Sequence, residues 1–434
     1  MGANRSDVLS QLREHYATSV VEIFYKADKS INPVLAEMEA SSAEDGMGRK
    51  YITPIQYGTN SAAGADFTIA QNKALGSSIG SRAQYSRWET DPQEIHGFAV
   101  WERKALDAAM GKSSGEMFNV MTTEMDSAIL NMRNLWAQHS TGDGWGSKGQ
   151  IVSATSTYIT VSKSYINRFQ RGQDLAVCLG SSGQLAQLKN SGETIAVTGV
   201  NPNSCRVYLA SDCTSTAAGR TAWATNDYIF FAADCQDRLS GSTSAQILPH
   251  GLKGWIAGPS VVDSVAWDGV TRNNQWQLAG HEFDCTGLEP EDAFIGAINN
   301  LFMFGTKSSV LYCSPFDWTA LTAGKDKSKI VQIAVGKYEI GFTAFAVNTL
   351  AGTVPVVPDA YIPQGEFYYG AFNDKKVKPK LIYTGDLVNI DNRDGLDFRA
   401  SPTSASYIMR LYSFGNIVTP GPGKFGRGFA LSLT

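Results

Sequence analysis

The 434-residue chain lacks the cysteine and histidine patterns that mark most metal and redox sites. No two cysteines form a CxxC pair, which excludes a zinc site of the usual spacing. The six cysteines are Cys178, Cys205, Cys213, Cys235, Cys285 and Cys313. A bridge between Cys205 and Cys213 across a hairpin is one interpretation, but buried free thiols are favoured. Only five histidines occur, and "HEFDC" at 281–285 lacks the second histidine of a metalloprotease helix. We therefore expect no metal and no other cofactor.

Charge and long apolar runs are also scarce. Charged residues make up 18% of the chain and the formal net charge is −4, which argues against a surface built to grip nucleic acid or anionic lipid. Such a charge does not exclude a protein that merely encloses a genome. No segment reaches the roughly 18 continuous apolar residues that span a membrane, and the first residues lack a signal-peptide core. An amphipathic N-terminal helix is predicted instead from the spacing of Leu9, Leu12, Tyr16, Val20 and Phe24.

Two short motifs resemble catalytic signatures without their context. Gly111, Lys112 and Ser113 match the end of a phosphate-binding loop, yet Leu106 stands where that loop needs a glycine. "GSSIG" at 76–80 matches the turn that presents a hydrolase serine, but polar sequence flanks Ser78 instead of a buried strand and a helix. The sequence favours a break between helices at the first motif and a flexible glycine-rich segment at the second. We expect no enzymatic activity.

A long helix is predicted from about Ser114 to His139, about 40 Å in length. Ser113 and Glu116 fit a capping box at its start, "WERKALDAAM" before it reads as a short helix, and Gly142 is the predicted stop. Its apolar stripe, spaced by three and four residues, consists of Phe118, Met121, Met125, Ile129, Met132 and Trp136. We expect this stripe to form the core of a spine helix.

The stretch before this helix has too few large apolar side chains to form a core. Small residues dominate "TNSAAGADFTIAQNKALGSSIGSRA", while "RKYITPIQYG" before it and "AQYSRWET" and "EIHGFAVWERKAL" after it read as extended arms. We predict a long two-stranded projection that contacts neighbouring subunits through Gly58, Gly64, Phe67, Ile69, Leu75, Gly76, Ile79 and Gly80. Residues 1–48 and about 49–101 are not expected to be buried by their own chain.

The second half of the chain is rich in strands. Five short β-branched or aromatic runs between 151 and 236, separated by turn residues, predict a small β-barrel or sandwich. "LEPEDAFIGAINNLFMFG" predicts a helix with Pro290 near its start and Phe294, Ile298 and Leu301 on one face. The predicted strands or helix starts that follow are "SSVLYCSP", "PFDWTALTA", "GTVPVVPDAYIP", "EFYYGAF", "KLIYTGDLVNI" and "SYIMRLYSFGNIVTP", before a glycine-rich tail. The densest basic run, Lys375, Lys376, Lys378 and Lys380, is interpreted as a solvated turn in preference to a nucleic-acid contact.

The order of these elements resembles that of the major capsid proteins of tailed bacteriophages. The resemblance extends over nearly the whole chain and is carried by "GADFTIAQNKA", "EIHGFAVWERKALDAA", "LWAQHSTGDGWGSKG", "GLKGWIAG" and "MRLYSFGNIVTP". It implies an α+β fold with an N-terminal arm, an extended loop, a peripheral domain with the spine helix and an axial domain. The β-rich stretch departs from the minimal family pattern as an inserted domain. No catalytic residues carry over.

The resemblance implies the following division of the chain. The N-terminal arm is 1–48, the extended loop 49–101, the spine-helix part of the peripheral domain 102–150, the inserted β-rich domain 151–236, the mainly axial domain 237–400, and the C-terminal strand returning to the peripheral domain 401–434.

The resemblance also implies a function and partners. The chain would assemble with itself, as hexamers and pentamers, into an icosahedral head shell enclosing double-stranded DNA, with assembly in the host cytoplasm. Portal and scaffolding proteins, and in some cases a cement protein, would be its partners; sequence-specific DNA binding and membrane contact are not implied. Two alternatives remain. One is an encapsulin-like compartment shell with a protein cargo. The other, a secreted β-rich hydrolase or carbohydrate-binding protein, is suggested by 9 Trp and 17 Tyr.

Overall fold

Helices and strands both contribute to the chain, which is a mixed α+β protein as predicted. The computed structural model describes residues 33–42, 50–58, 83–102, 114–178, 189, 194–214, 222–235, 248–256, 267–272, 276–323, 330–333, 344–383, 388–391, 399–400 and 406–431. The α-helices are α1 (Pro33–Glu37), α2 (Ser114–Ser140), α3 (Leu252–Trp255), α4 (Trp276–Ala279), α5 (Pro290–Met303) and α6 (Pro315–Ala323). Short 3-10 turns occur at Ile166–Arg168, Ala232–Cys235 and Pro422–Lys424.

The strands fall into four sheets. The first eleven are β1 (Glu39–Ser42), β2 (Tyr51–Gly58), β3 (Gln84–Thr90), β4 (Gln93–Glu102), β5 (Gly149–Ala154), β6 (Tyr158–Val161), β7 (Asp174–Cys178), β8 (Ile195–Asn201), β9 (Arg206–Leu209), β10 (Tyr228–Phe231) and β11 (His281–Asp284). The others are β12 (Val310–Cys313), β13 (Ile330–Ile333), β14 (Ala344–Thr349), β15 (Gly352–Pro358), β16 (Phe367–Gly370), β17 (Lys380–Tyr383), β18 (Asn389–Ile390), β19 (Arg399–Ala400), β20 (Ser406–Val418) and β21 (Phe425–Phe429).

The long helix α2 packs on a six-stranded sheet, which we call the spine sheet. Its strand order is β1-β17-β20-β18, with β19 and β4 also paired to β20. Strands β4 and β20 run antiparallel, from the pair Gln93 and Gly415 to the pair Glu102 and Ser406. In the spine-sheet core Met125, Ile129, Met132 and Trp136 of the helix lie with Ile95, Ala99, Met409 and Leu411 of the sheet. Gly97 of β4 permits the helix to lie close, because a Cβ there would be 2.6 Å from the Met132 sulfur.

A seven-stranded sheet has the strand order β11-β21-β16-β12-β15-β14-β13, and its inner strands β12 and β16 are covered on both faces. Strands β12 and β16 are buried at every position. In β12, Val310 and Tyr312 lie in the spine-sheet core, whereas Leu311 and Cys313 lie in a second core with residues of α5 and α6. Two-sided burial explains why these strands read as continuous apolar runs instead of alternating ones.

Six strands close into a barrel in the order β10-β5-β6-β9-β8-β7. Each of the five predicted short runs contains one of these strands, and β5 is an additional strand that the sequence analysis did not propose. The barrel has its own core, which includes Ile151, Ile159, Leu175, Val207 and Ile229. On β7 and β10 the outward side is buried as well, because Ala176, Cys178 and Phe230 form a separate small cluster.

Strands β2 and β3 form a separate two-stranded sheet, paired from Tyr51 and Thr90 to Gly58 and Gln84. The expectation that residues 1–48 and 49–101 are not buried by their own chain is wrong for their described parts. Val34 and Leu35 of α1 lie in the spine-sheet core, β1 pairs with β17, and Trp88 of β3 is fully buried. Strand β4 belongs to the spine sheet through β20, a partner too distant in sequence for local patterning to indicate.

Other elements match or correct the sequence predictions. Helices α2, α5 and α6 occupy the predicted positions, and Phe294, Ile298 and Leu301 of α5 are fully buried. Helix α2 ends at Ser140, one residue after the predicted end at about His139 and two residues before Gly142, the predicted stop. "WERKALDAAM" begins in β4 with Trp101 and Glu102, and the glycine-rich tail contains strand β21.

Several predictions lie outside the described residues. They are the N-terminal helix, the side chains of Phe118 and Met121, the remainder of the short helix, the motif at Gly111–Ser113 with its capping box, "GSSIG", and loop residues Gly64, Phe67, Ile69, Leu75, Gly76, Ile79 and Gly80.

Candidate assembly surfaces

The β2–β3 sheet is held on the body of the protein by a tryptophan cluster. Trp88 of β3 meets Trp255 of α3 edge-to-face at 5.1 Å between ring centroids, and Trp255 meets Trp267 at 5.8 Å. The Trp88 indole N–H donates to the Pro420 carbonyl at 3.2 Å, and that of Trp255 to the Ile417 carbonyl at 2.9 Å. Aromatic burial combined with the hydrogen bonds of Trp88 and Trp255 makes this a firm attachment.

A buried carboxylate also ties β3 to the body. Asp268 accepts from the Thr90 hydroxyl at 2.6 Å, and its backbone carbonyl accepts from the Glu89 N–H at 2.8 Å. The His250 Nδ1 lies 3.1 Å from the other Asp268 carboxylate oxygen. The end of β3 is therefore fixed in position, and with it the paired strand β2.

The opposite face of this two-stranded sheet is open. Residues Tyr51, Ile55 and Tyr57 pack against the tryptophan cluster, so alternate positions face away from it. On that outward side Ile52 is 52% exposed and Tyr85 is 70% exposed. In the spine sheet, Phe98 and Val100 of β4 are also exposed, at 58% and 49%, on the face away from α2. Contiguous exposed apolar side chains mark surfaces that bind another protein. Phe98 and Val100 are such neighbours on one face of β4, whereas Ile52 and Tyr85 stand four register positions apart on theirs.

A third apolar surface lies at the end of α5. Phe302, Met303 and Phe304 are exposed there, Met303 to 84%. Leu350, in the turn between β14 and β15, is 78% exposed, and its N–H donates to the Asn299 side chain at 3.1 Å. This hydrogen bond places the turn beside the helix end, so the four side chains share one end of the seven-stranded sheet unit.

A charge network joins several elements inside the protein. Glu366 Oε1 lies 3.1 Å from Lys253 Nζ and 3.1 Å from an Arg427 guanidinium nitrogen, and Arg427 also contacts Glu282 at 3.1 Å. Burial alone would raise the pKa of Glu366, but the charges of Lys253 and Arg427 and their hydrogen bonds lower it to about 2. Such a network gives geometric specificity to the junction of α3, β11, β21 and the start of β16, because loss of one partner leaves a buried charge.

The barrel is attached through its Ile166–Arg168 turn. Asn167 donates to the Ala360 carbonyl at 2.9 Å, and Arg168 donates to the Tyr361 carbonyl at 2.9 Å. The Tyr361 hydroxyl donates to the Asn134 side chain of α2 at 3.1 Å. The segment after β15 thus contacts both the barrel and the spine helix, so the barrel is fixed to the body at this point.

The described residues contain no group of three or more His, Cys, Asp or Glu side chains placed to hold a metal. Cys205 and Cys213 are both free thiols, not bonded to each other.

Lys375 and Lys376 are exposed in the turn before β17, while Lys378 donates to the Glu37 carbonyl at 3.1 Å. Among the described helices, none has the length and hydropathy that crossing a lipid bilayer requires.

Comparisons with solved structures find likenesses over most of the chain. The cyanophage A-1(L) capsid subunit matches with a TM-score of 0.49 and 9% identity, over 95% of this chain and 96% of that one. The native GTA particle capsid matches with a TM-score of 0.42 and 8% identity, over 92% and 90%. The SrpI encapsulin of Synechococcus elongatus matches with a TM-score of 0.40 and 8% identity, over 92% and 88%. At these TM-scores the likenesses assign no function to this chain.

No family model and no curated protein matches the sequence.

The predicted site residues are only partly within the described structure. Met125, Ile129, Met132 and Trp136 are buried in the spine-sheet core, and Gly58 ends β2. The tryptophan cluster, the Glu366 network and the outward-facing Ile52, Tyr85, Phe98 and Val100 were not predicted from the sequence. Alternation along "YITPIQYG" could have indicated an outward apolar position at Ile52, but the tryptophans come from separate segments with no shared pattern.

Proposed function

We propose that the chain is the major capsid protein of a tailed bacteriophage, a structural subunit that assembles into an icosahedral head shell enclosing double-stranded DNA. The observation that carries the proposal is the pair of open sheet faces bearing Ile52 and Tyr85 on β2–β3, and Phe98 and Val100 on β4. Each large side chain of this kind gains roughly 1.5–3 kcal/mol when it is fully buried. Since every copy has the same surfaces, one copy's contacts repeat around a closed assembly.

The order of elements supports the same function. A two-stranded sheet precedes the long helix α2, a barrel follows that helix, and β20 near the chain end returns to pair beside it. The sequence resemblance implies this order for capsid subunits. Under the proposal, residues 59–82, which contain Phe67, Ile69, Leu75 and Ile79, reach a neighbouring subunit, and the domain division given above holds.

The proposal includes partners and location. The subunit forms hexamers and pentamers. It assembles together with portal and scaffolding proteins and, in some shells, with a cement protein. Assembly takes place in the host cytoplasm and the product is the virion capsid. The protein acts without cofactors or catalysis and encloses DNA without reading its sequence.

The assembly step can be tested with the purified full-length chain. Wild-type protein should form closed particles that are visible by negative-stain microscopy and that sediment much faster than the free subunit in sedimentation velocity. The double variant Tyr85→Ser with Phe98→Ser should remain a small, folded species, because the apolar contacts between copies are lost. Val152→Ser, which changes an exposed apolar side chain of the barrel, is the matched control and should assemble. Closed particles of normal size from the double variant would remove the basis of the proposal.

The contents of the particle distinguish the two shell hypotheses. Particles isolated from the producing cells should contain nuclease-protected double-stranded DNA. A defined protein cargo without protected DNA would support an encapsulin-like compartment instead. A monomer or small oligomer under all conditions would favour the third alternative, a hydrolase or carbohydrate-binding protein.

A further inference from the structure

A groove of about 470 Å³ lies between the β2–β3 sheet and the body of the protein. One wall is formed by four successive residues of β2, Pro54 to Tyr57. The facing wall is formed by α4, by the turn before β17 and by the 3-10 turn that precedes β21. The residues on these opposing walls are Gln277, Leu278, Lys376, Val377, Pro420, Gly421, Gly423 and Lys424. The volume is within the range of ligand pockets, about 300–1,000 Å³.

The groove runs along the backbone edge of β2. Successive side chains of a strand point to opposite faces, so four consecutive residues can line one groove only if the strand edge itself faces it. Within the described chain, β2 pairs with β3 alone, which leaves its other edge without a strand partner. An open strand edge presents N–H and C=O groups to an added strand, although Pro54 contributes only its C=O because proline has no N–H.

The polar side chains that line the groove suit two kinds of ligand group, an anion and a hydrogen-bond donor. Lys376 and Lys424 line it, no carboxylate does, and neither ammonium group lies within ion-pair distance of an acidic side chain in the described structure. The nearby Asp374 carboxylate accepts from the backbone N–H of Lys376 at 3.0 Å instead. Gln277 Oε1 is buried, and the described residues place no hydrogen-bond donor within reach of it. The groove therefore offers two ammonium groups that attract an anion and one buried acceptor for which the described residues supply no donor.

We propose that this groove binds an extended, acidic peptide segment of a partner protein, which adds as a strand to the open edge of β2. Backbone amides of the peptide pair with β2 and supply a donor for Gln277, while its carboxylates meet Lys376 and Lys424. The apolar walls, which include Ile55, Leu278 and Val377, accept its uncharged side chains. A nucleic-acid backbone would satisfy the lysines but has no amide to donate, so the peptide accounts for more of the site. The four lining residues of β2 correspond to about 13 Å of extended chain.

The binding test uses fluorescence anisotropy with labelled heptapeptides and the full-length protein. The acidic probe TEVEVET should bind, and binding should weaken as salt increases. The basic probe TKVKVKT should bind at least tenfold more weakly. TEPEPET keeps the charge but lacks two backbone N–H groups, and should also bind at least tenfold more weakly because strand pairing uses those groups; equal binding would contradict strand addition. A labelled single-stranded DNA of seven nucleotides is measured in the same way, and it should bind more weakly than TEVEVET.

Charge-reversal variants locate the site. Lys376→Glu combined with Lys424→Glu should weaken TEVEVET binding at least tenfold, and Gln277→Leu should weaken it by a smaller factor. Lys375→Glu changes the exposed lysine adjacent to Lys376 but outside the groove, so it is the matched control and should bind as wild type. All variants should keep the wild-type thermal midpoint, because these side chains lie at the surface or at its margin.

Three results would overturn the proposal. The first is that TEVEVET does not bind at millimolar concentration. The second is that the Lys376→Glu, Lys424→Glu double variant binds TEVEVET as tightly as the wild type does. The third is that the DNA binds more tightly than TEVEVET and loses affinity in the same double variant. The test does not require a shell, since it measures peptide binding to the subunit. Its failure is therefore distinct from a failure of particle assembly.

Discussion

Asp317, in the first turn of α6, is a buried carboxylate without a counter-ion among its hydrogen-bond partners. Its two oxygens lie 3.0 and 3.3 Å from the Gly365 N–H, which donates to them. Burial raises the pKa of Asp317 to about 7, although the hydrogen bonds from the Gly365 and Ser314 backbones lower it in part. The folded protein therefore holds a proton here that the unfolded chain, with a pKa of about 3.9, releases.

The substitution Asp317→Asn should change the pH dependence of stability. Between about pH 4 and pH 7 the Asp317 carboxyl binds more protons in the folded state than in the unfolded state, so its contribution to the free energy of unfolding falls as pH rises. The variant lacks this ionisation, and its stability relative to wild type should increase over that range by about 2–4 kcal/mol. Urea midpoints at pH 5 and pH 8 measure the difference. Asp174→Asn, at an exposed position, is the control, and parallel curves for wild type and Asp317→Asn would contradict the prediction.

At the scale of elements, helix α2 has two faces that differ in burial. Met125 and Ile129 are each 2% exposed in the core with the spine sheet, while Glu124 and Leu130 face outward. Trp136 is fully buried and its indole N–H donates to the Ser413 hydroxyl at 2.9 Å, which joins the helix to β20. The buried face therefore holds the helix and two distant strands together.

A charge on that buried face should disrupt the protein. Met125→Asp places a carboxylate in the core without a partner, which costs about 3–5 kcal/mol. We expect insoluble or degraded protein on expression, and a thermal midpoint well below that of wild type for any soluble fraction. Glu124→Gln, one residue away on the exposed face, should leave solubility and midpoint unchanged. Equal behaviour of the two variants would mean that the helix does not pack through this face.

At the scale of the whole molecule, residues 61–80 are expected to act between subunits. The tryptophan cluster fixes β3 independently of the residues beyond Gly58, so a shortened connection should leave the body intact. The remaining five residues between β2 and β3 are enough for a hairpin loop. The deleted chain should therefore fold to the wild-type thermal midpoint, yet fail to form closed particles in sedimentation velocity and microscopy. Normal particles from this chain would show that the segment is not needed between subunits.

The elements predicted correctly are those whose buried side chains recur at a regular spacing within a short stretch of sequence. The stripe from Met125 to Trp136 and the apolar face of α5 are set by the 3.6-residue helical period, which is visible in a short window of sequence. The five barrel strands were found for the same reason, since β-branched runs and turn residues alternate along that stretch. Strand β21 was missed because its glycines, including Gly426 and Gly428, have low strand propensity, and packing under Tyr369 and Phe367 outweighs that propensity.

The candidate surfaces depend on contacts that no local pattern encodes. Which face of β4 is exposed follows from its pairing with β20, whose residues lie more than 300 positions later in the chain. The groove beside β2 exists because α4, the turn before β17 and the turn before β21 meet opposite that strand's free edge. The identities of the helices and most strands are thus properties of sequence periodicity and propensity. The open faces, the charge network and the groove arise when distant segments exclude water together, since burial is a property of the packed chain and not of any single segment.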